Sequence, residues 1–149
     1  MSPEPSKTVI RAWARLMRAQ QVALSQIEKA LKAAGLPPLA WYDVLLELDR
    51  IDDRGLRPFE LEREMLLPQY GLSRLLDRME SAGYVARRPC EEDGRGQIVA
   101  ITTSGKDLRR RIWPTYAAAI DNAVAARLTE DEAAALDDLL GRLLAEPKA

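Results

Sequence analysis

The order of patterned segments predicts a mainly α-helical fold with one small β-hairpin. Three observations carry this expectation. Residues 66–105 read LLPQYGLSRLLDRMESAGYVARRPCEEDGRGQIVAITTSG: a short helix pattern, a glycine stop, a β-rich run, a polar tip, a second β-rich run and a new helix start. Within that stretch Leu72, Leu75, Leu76 and Met79 recur at i, i+3, i+4 and i+7, the spacing of one buried helix face. Long amphipathic segments then flank the stretch on both sides.

Residues 6–34 read as one long helix, with Ile10, Trp13, Met17, Leu24, Ile27 and Leu31 at three- and four-residue spacing and Gln20 interrupting the stripe. Gly35, Pro37 and Pro38 end it. A narrow stripe on a long helix near a terminus fits either an ordinary core face or packing against another subunit. A second helix over 39–50 carries Trp41, Val44, Leu45 and Leu48, and Asp52-Asp53-Arg54-Gly55 forms the loop after it. Pro58 opens a short third helix, because proline is tolerated in a first turn where its missing donor has no partner to lose. Pro68 then breaks the chain.

The fourth helix is expected over 69–82. Tyr70, Arg74, Asp77 and Ser81 lie opposite its leucine face, flanked by Ser73 and Arg78. Gly83 stands where a left-handed residue closes a helix. Residues 84–88 and 97–102 are the two strands, and PCEEDGRG between them has the polarity and glycines of a hairpin loop. A fifth helix over 104–127 contains Pro114, which is expected to kink it. Thr129-Glu130-Asp131-Glu132 is a capping box for a sixth helix whose apolar face is Leu136, Leu139, Leu140, Leu143 and Leu144.

Helix, helix and hairpin in this order make a winged helix-turn-helix, whose second helix enters a DNA major groove. The expected organisation is a single subunit over 1–149. A DNA-binding lobe spans 36–103, and a helical dimerisation lobe combines 6–34 with 104–146.

Composition narrows the alternatives. The 149 residues suffice for one domain with a real core, and 47% hydrophobic with 30% charged residues is ordinary for a globular chain. No apolar run approaches the ~18 residues of a membrane span, and MSPEPSKTVIR lacks the apolar centre of a signal peptide, so a cytoplasmic protein is expected. The chain has no histidine and one cysteine, Cys90. That removes histidine metal sites, histidine general bases and intramolecular disulfides, so no catalytic residue, metal or cofactor is expected. A net charge of −1 argues against a uniformly basic nucleic-acid surface, but a basic footprint can be local.

The chain resembles the MarR family of winged helix-turn-helix transcriptional regulators. The resemblance rests on Gly71-Leu72-Ser73-Arg74-Leu75-Leu76-Asp77-Arg78-Met79-Glu80, then Ala82-Gly83-Tyr84-Val85, Asp93-Gly94-Arg95, and Ile101-Thr102-Thr103-Ser104-Gly105, in that order. It implies a homodimer built through the first, fifth and sixth helices. It also implies binding to a palindromic operator on double-stranded DNA, usually as a repressor, with relief by a small aromatic or phenolic effector or by an oxidant.

The candidate DNA-binding residues are Gln69, Tyr70, Ser73, Arg74, Asp77 and Arg78 in the fourth helix. Arg87 and Arg88 in the first strand and Asp93 and Arg95 in the wing join them. An arginine can make a bidentate contact with guanine or neutralise phosphate, and a narrow minor groove attracts an arginine such as Arg95. In the family pattern Asp93 pairs with an arginine and shapes the wing, with Arg74 as the candidate partner. Glu91 and Glu92 depart from a basic tip and repel phosphate. The candidate effector-pocket residues are Trp13, Met17, Trp41, Tyr42, Trp113 and Tyr116, which equally suit a core. Cys90 is a candidate redox sensor, favoured as thiolate by Arg87 and Arg88 and opposed by Glu91 and Glu92. The alternative reading is a winged helix that binds protein and no specific DNA.

Overall fold

The computed structural model describes residues 3–90 and 96–145. The helices are α1 (Lys7–Ala33), α2 (Leu39–Ile51), α3 (Pro58–Glu64), α4 (Leu72–Ser81), α5 (Thr103–Ile120) and α6 (Glu130–Leu144). The strands are β1 (Val85–Pro89) and β2 (Gln97–Ile101). The fold is thus mainly helical with one antiparallel hairpin, paired from Val85↔Ile101 to Pro89↔Gln97. Among the described residues no helix is long and apolar enough to cross a membrane.

The chain divides into two compact units, one of residues 31–115 and one of 1–30 with 116–149. Most of α5 belongs with the hairpin, and the division falls just after Pro114. The reason is packing: Leu108 and Ile112 are buried, and Arg109 of α5 donates to Asp49 of α2 at 2.5 Å. The core of the 31–115 unit is fully closed around Val44, Leu45, Leu48, Leu61, Met79, Val99 and Ile112.

Two helices differ from expectation by several residues, each for a local reason. Helix α4 starts at Leu72, not 69, because Gly71 (φ −122°, ψ 40°) is its non-helical first residue while its carbonyl already accepts from Leu75. Gln69 and Tyr70 therefore belong to the preceding turn. The segment expected as one helix over 104–127 is helical only to Ile120. A π-turn over Asp121–Ala125 follows, closed by Ala126 N–H to Asp121 O at 2.8 Å. Leu56, just past the loop after α2, exchanges two backbone hydrogen bonds with Val99 at 2.8 and 2.9 Å, adding a one-residue third strand beside β2.

A small polar knot joins α4, the hairpin and α5. Gly83 has φ +86°, and the Tyr84 amide returns to Met79 O at 2.9 Å, so the helix closes as its glycine predicts. The Thr102 hydroxyl donates to Gly83 O at 2.6 Å and accepts from the Gly105 amide at 3.0 Å. A Cβ at Gly105 would lie 2.2 Å from Tyr84 O, so the strand end and the helix start meet at contact distance. At the other end of the chain the capping box of α6 forms as expected, with Thr129 and Glu132 exchanging bonds at 2.9 and 3.1 Å.

Candidate nucleic-acid interface

Helix α4 separates its two faces completely. Leu72, Leu75, Leu76 and Met79 are buried, while Ser73, Arg74, Asp77 and Arg78 are exposed. The separation follows from the 3.6-residue period, with every apolar residue on one side. Tyr70 protrudes fully from the turn ahead of the helix, and Gln69 beside it is half-buried. Gln69, Tyr70, Ser73, Arg74 and Arg78 thus form one continuous segment at the start and outer side of α4.

The expected cations divide into two kinds. Arg74 makes no side-chain ion pair among the described residues, and Arg78 makes only a 3.4 Å contact to Arg74 O. Arg87, by contrast, is 18% exposed and donates to Asp77 at 2.6 Å, with Glu80 at 3.9 Å and Ser73 O at 3.5 Å. Its backbone amide also donates to Glu80, at 3.1 Å. Arg87 therefore ties β1 to α4 and consumes the carboxylate of Asp77, so two residues expected to face a ligand face each other. Arg88 donates to the carbonyls of Asp53 and Arg54 at 3.0 and 2.9 Å, fastening β1 to the loop after α2. Asp93, Arg95, Glu91 and Glu92 lie outside the described residues, and with them the expected Asp93–Arg74 pair.

Periodicity did not flag Asp43. It is 4% exposed on α2, and its two oxygens accept from the amides of Leu66 and Leu67 at 2.9 and 2.8 Å, within the turn between α3 and α4. Its only signal is a carboxylate among the apolar positions of α2. Glu47, one turn along, is also buried. Burial pushes its carboxyl above the usual range, Arg50 beside it partly offsets this, and Asp43 and Glu64 add to it.

The candidate effector-pocket residues fall in both units. In the 31–115 unit Tyr42 is buried and stacks on Trp113 with ring centres 6.2 Å apart, while Trp41 meets the edge of Tyr84 at 6.0 Å. In the other unit Trp13 and Met17 are exposed and Tyr116 is buried. A cleft of about 690 Å³ lies elsewhere, beside the loop-proximal end of the hairpin, walled by Arg54, Arg57, Phe59, Arg88 and Cys90. Cys90 is buried and accepts from the Arg57 guanidinium at 3.1 Å. The cation beside the thiol is therefore Arg57, while the guanidinia of the nearer-in-sequence Arg87 and Arg88 are directed to other partners.

Comparison with known proteins agrees with this geometry. The MarR family model matches residues 34–96. The multiple antibiotic resistance protein MarR of Escherichia coli is 32% identical over 87 residues, covering 58% of this chain and 60% of that protein's length. An uncharacterised HTH-type transcriptional regulator of Bacillus cereus is 28% identical over 131 residues, 88% of this chain and 85% of the relative. A MarR family transcriptional regulator from Streptomyces coelicolor, solved in complex with DNA, superposes with a TM-score of 0.85 at 25% identity, covering 97% of this chain and 90% of that one. The fold and the exposed α4 face define a winged helix-turn-helix protein. Over residues 34–96 the chain matches the MarR family model, and its fold is that of MarR family regulators.

Proposed function

We propose that this chain is a dimeric, sequence-specific DNA-binding transcriptional regulator that acts as a repressor. The observation that carries the reading is the two-faced α4, with an apolar side closed into the core and Tyr70, Ser73, Arg74 and Arg78 presented outward beside a hairpin. Such a helix, lying in a major groove, lets arginine reach guanine edges while neighbouring side chains hold phosphates. Arg95 supplies the minor-groove contact from the wing. The DNA bound by the Streptomyces coelicolor relative supports the same use of the fold.

Dimerisation is supported by apolar surface left on the helices of the 1–30 and 116–149 unit. Ile10, Trp13 and Val22 on α1 are exposed, as are Leu139, Leu143 and Leu144 on α6, and no residue of α6 is buried. An amphipathic helix with its leucines in water gains by burying them, and a second copy offers the same face. Two copies would place their α4 helices about one turn of B-DNA apart on a palindromic site. A small aromatic effector would release DNA by favouring a spacing that mismatches the duplex, which requires only unequal affinity for the two states.

The test is titration of a duplex from the chain's own upstream region at several salt concentrations. The reading predicts selective binding with a steep salt slope. No retention of any duplex at low salt would overturn it.

A further inference from the structure

We infer that Asp43 is a positioning residue for DNA discrimination, setting the approach of the α4 N-terminus from beneath. This rests on the reading of α4 as the recognition helix.

The turn between α3 and α4 covers residues 65–71 and has little to hold it. Met65 is 9% exposed, but Leu66 is 71% exposed and Tyr70 protrudes fully. Pro68 has no amide to contribute. Against this, the Asp43 carboxylate sits beneath two consecutive amides, those of Leu66 and Leu67, and accepts one on each oxygen. Hydrogen bonds from backbone amides to an ionised carboxylate are short and strong, and successive amides form a concave nest suited to an anion. The carboxylate itself is held rigidly, because Val44, Leu45 and Leu48 on the same helix are fully buried.

The body of α4 has independent anchorage through Leu72, Leu75, Leu76 and Met79. Loss of the Asp43 contacts therefore leaves the helix in place and frees the segment that precedes it, Gln69 to Gly71. That segment carries Tyr70 and sets the position of Ser73 and Arg74 one turn later. Base-edge contacts depend on side-chain placement to a fraction of an ångström, whereas phosphate attraction does not. The expected consequence is a loss of discrimination with the salt-dependent part of binding retained.

The experiment compares wild type, Asp43→Asn, Asp43→Glu and Ile112→Val on two duplexes, one selected from a random library by the wild-type protein and one of scrambled sequence. Asp43→Asn keeps the shape but replaces one of the two accepting oxygens with a donating amide, so only one of the Leu66 and Leu67 amides keeps its acceptor. Ile112→Val removes one buried methylene in α5, far from the turn in sequence, and controls for general destabilisation. Asp43→Asn is expected to lose at least tenfold in the ratio of selected to scrambled affinity, with an unchanged salt slope and faster amide exchange at whichever of Leu66 and Leu67 loses its acceptor. Ile112→Val is expected to keep the ratio, and Asp43→Glu to recover part of it. An undiminished ratio in Asp43→Asn, or an equal loss in Ile112→Val, would overturn the inference while leaving the DNA-binding reading intact. Failure of the wild type to select any duplex would remove that reading, and the inference with it.

Discussion

Arg87 on β1 and Asp77 on α4 meet at 2.6 Å and bind the hairpin to the helix it stands beside. Their pairing turns two candidate DNA contacts into one structural link. Arg87→Ala is expected to destabilise the protein by about 1 kcal/mol, since Asp77 is well exposed and a surface pair is worth little more. It should also speed amide exchange in β1. Because the guanidinium is already neutralised, the salt slope of DNA binding should stay unchanged, in contrast to Arg78→Ala, which is expected to lower it by about one. Salt titrations of the two variants side by side check this.

Gly105 and Tyr84 make the tightest steric relationship in the 83–105 knot. Gly105→Ala places a methyl group against a backbone carbonyl that cannot swing aside, so a loss of about 1–3 kcal/mol is expected from overpacking. Thr102→Val removes the hydroxyl that serves both Gly83 and Gly105, with an expected loss of about 1 kcal/mol, as for a helix cap. Urea unfolding midpoints at constant slope measure both.

Glu47 gives a pH-dependent prediction. Burial raises its pKa in the folded state above its value in the unfolded chain, so the folded protein holds the proton more tightly over that interval. Stability from this group is therefore present below the unfolded pKa and falls as pH rises through the folded one. Glu47→Gln is expected to be more stable than wild type at pH 7, with the advantage shrinking as pH falls through the raised folded pKa and gone below about 4.5, the ordinary glutamate value. Thermal midpoints across that range would refute it if the advantage grew in acid.

The exposed leucines of α6 yield an oligomer prediction. Leu139→Asp with Leu143→Asp places charges on the face that a second copy would cover, and a buried unpaired charge is costly. Sedimentation should report a dimer for wild type and a monomer for the double variant, with operator affinity falling along with it. A monomeric wild type would contradict the proposed assembly.

The parts of the fold legible in the sequence were those encoded within a few residues. The α4 stripe, the Gly83 closure, the Thr129–Glu132 box and the hairpin each have a local pattern that packing did not override. What escaped was non-local or had no token. Leu56 joins the sheet through a single residue, too short for any alternation to announce. The π-turn after Ile120 adds one residue to a hydrogen-bond ring without a glycine or proline to mark it. Asp43 serves amides 23 and 24 positions away. Arg87 and Asp77, ten positions apart, each looked like an outward charge because neither pattern contains the other. The candidate site was thus readable as a helix face, while the division of its charges into contacts and struts required the fold.

The most direct measurement of the central claim is paired titration of wild type and Arg74→Ala on selected and scrambled duplexes over a range of salt. The account predicts that wild type prefers the selected duplex by a factor on the order of 10³ or more. Arg74→Ala should lose about 1–3 kcal/mol of that preference, because the side chain reads bases and does more than attract phosphate. Equal binding of wild type to both duplexes, or full discrimination retained by Arg74→Ala, would contradict it.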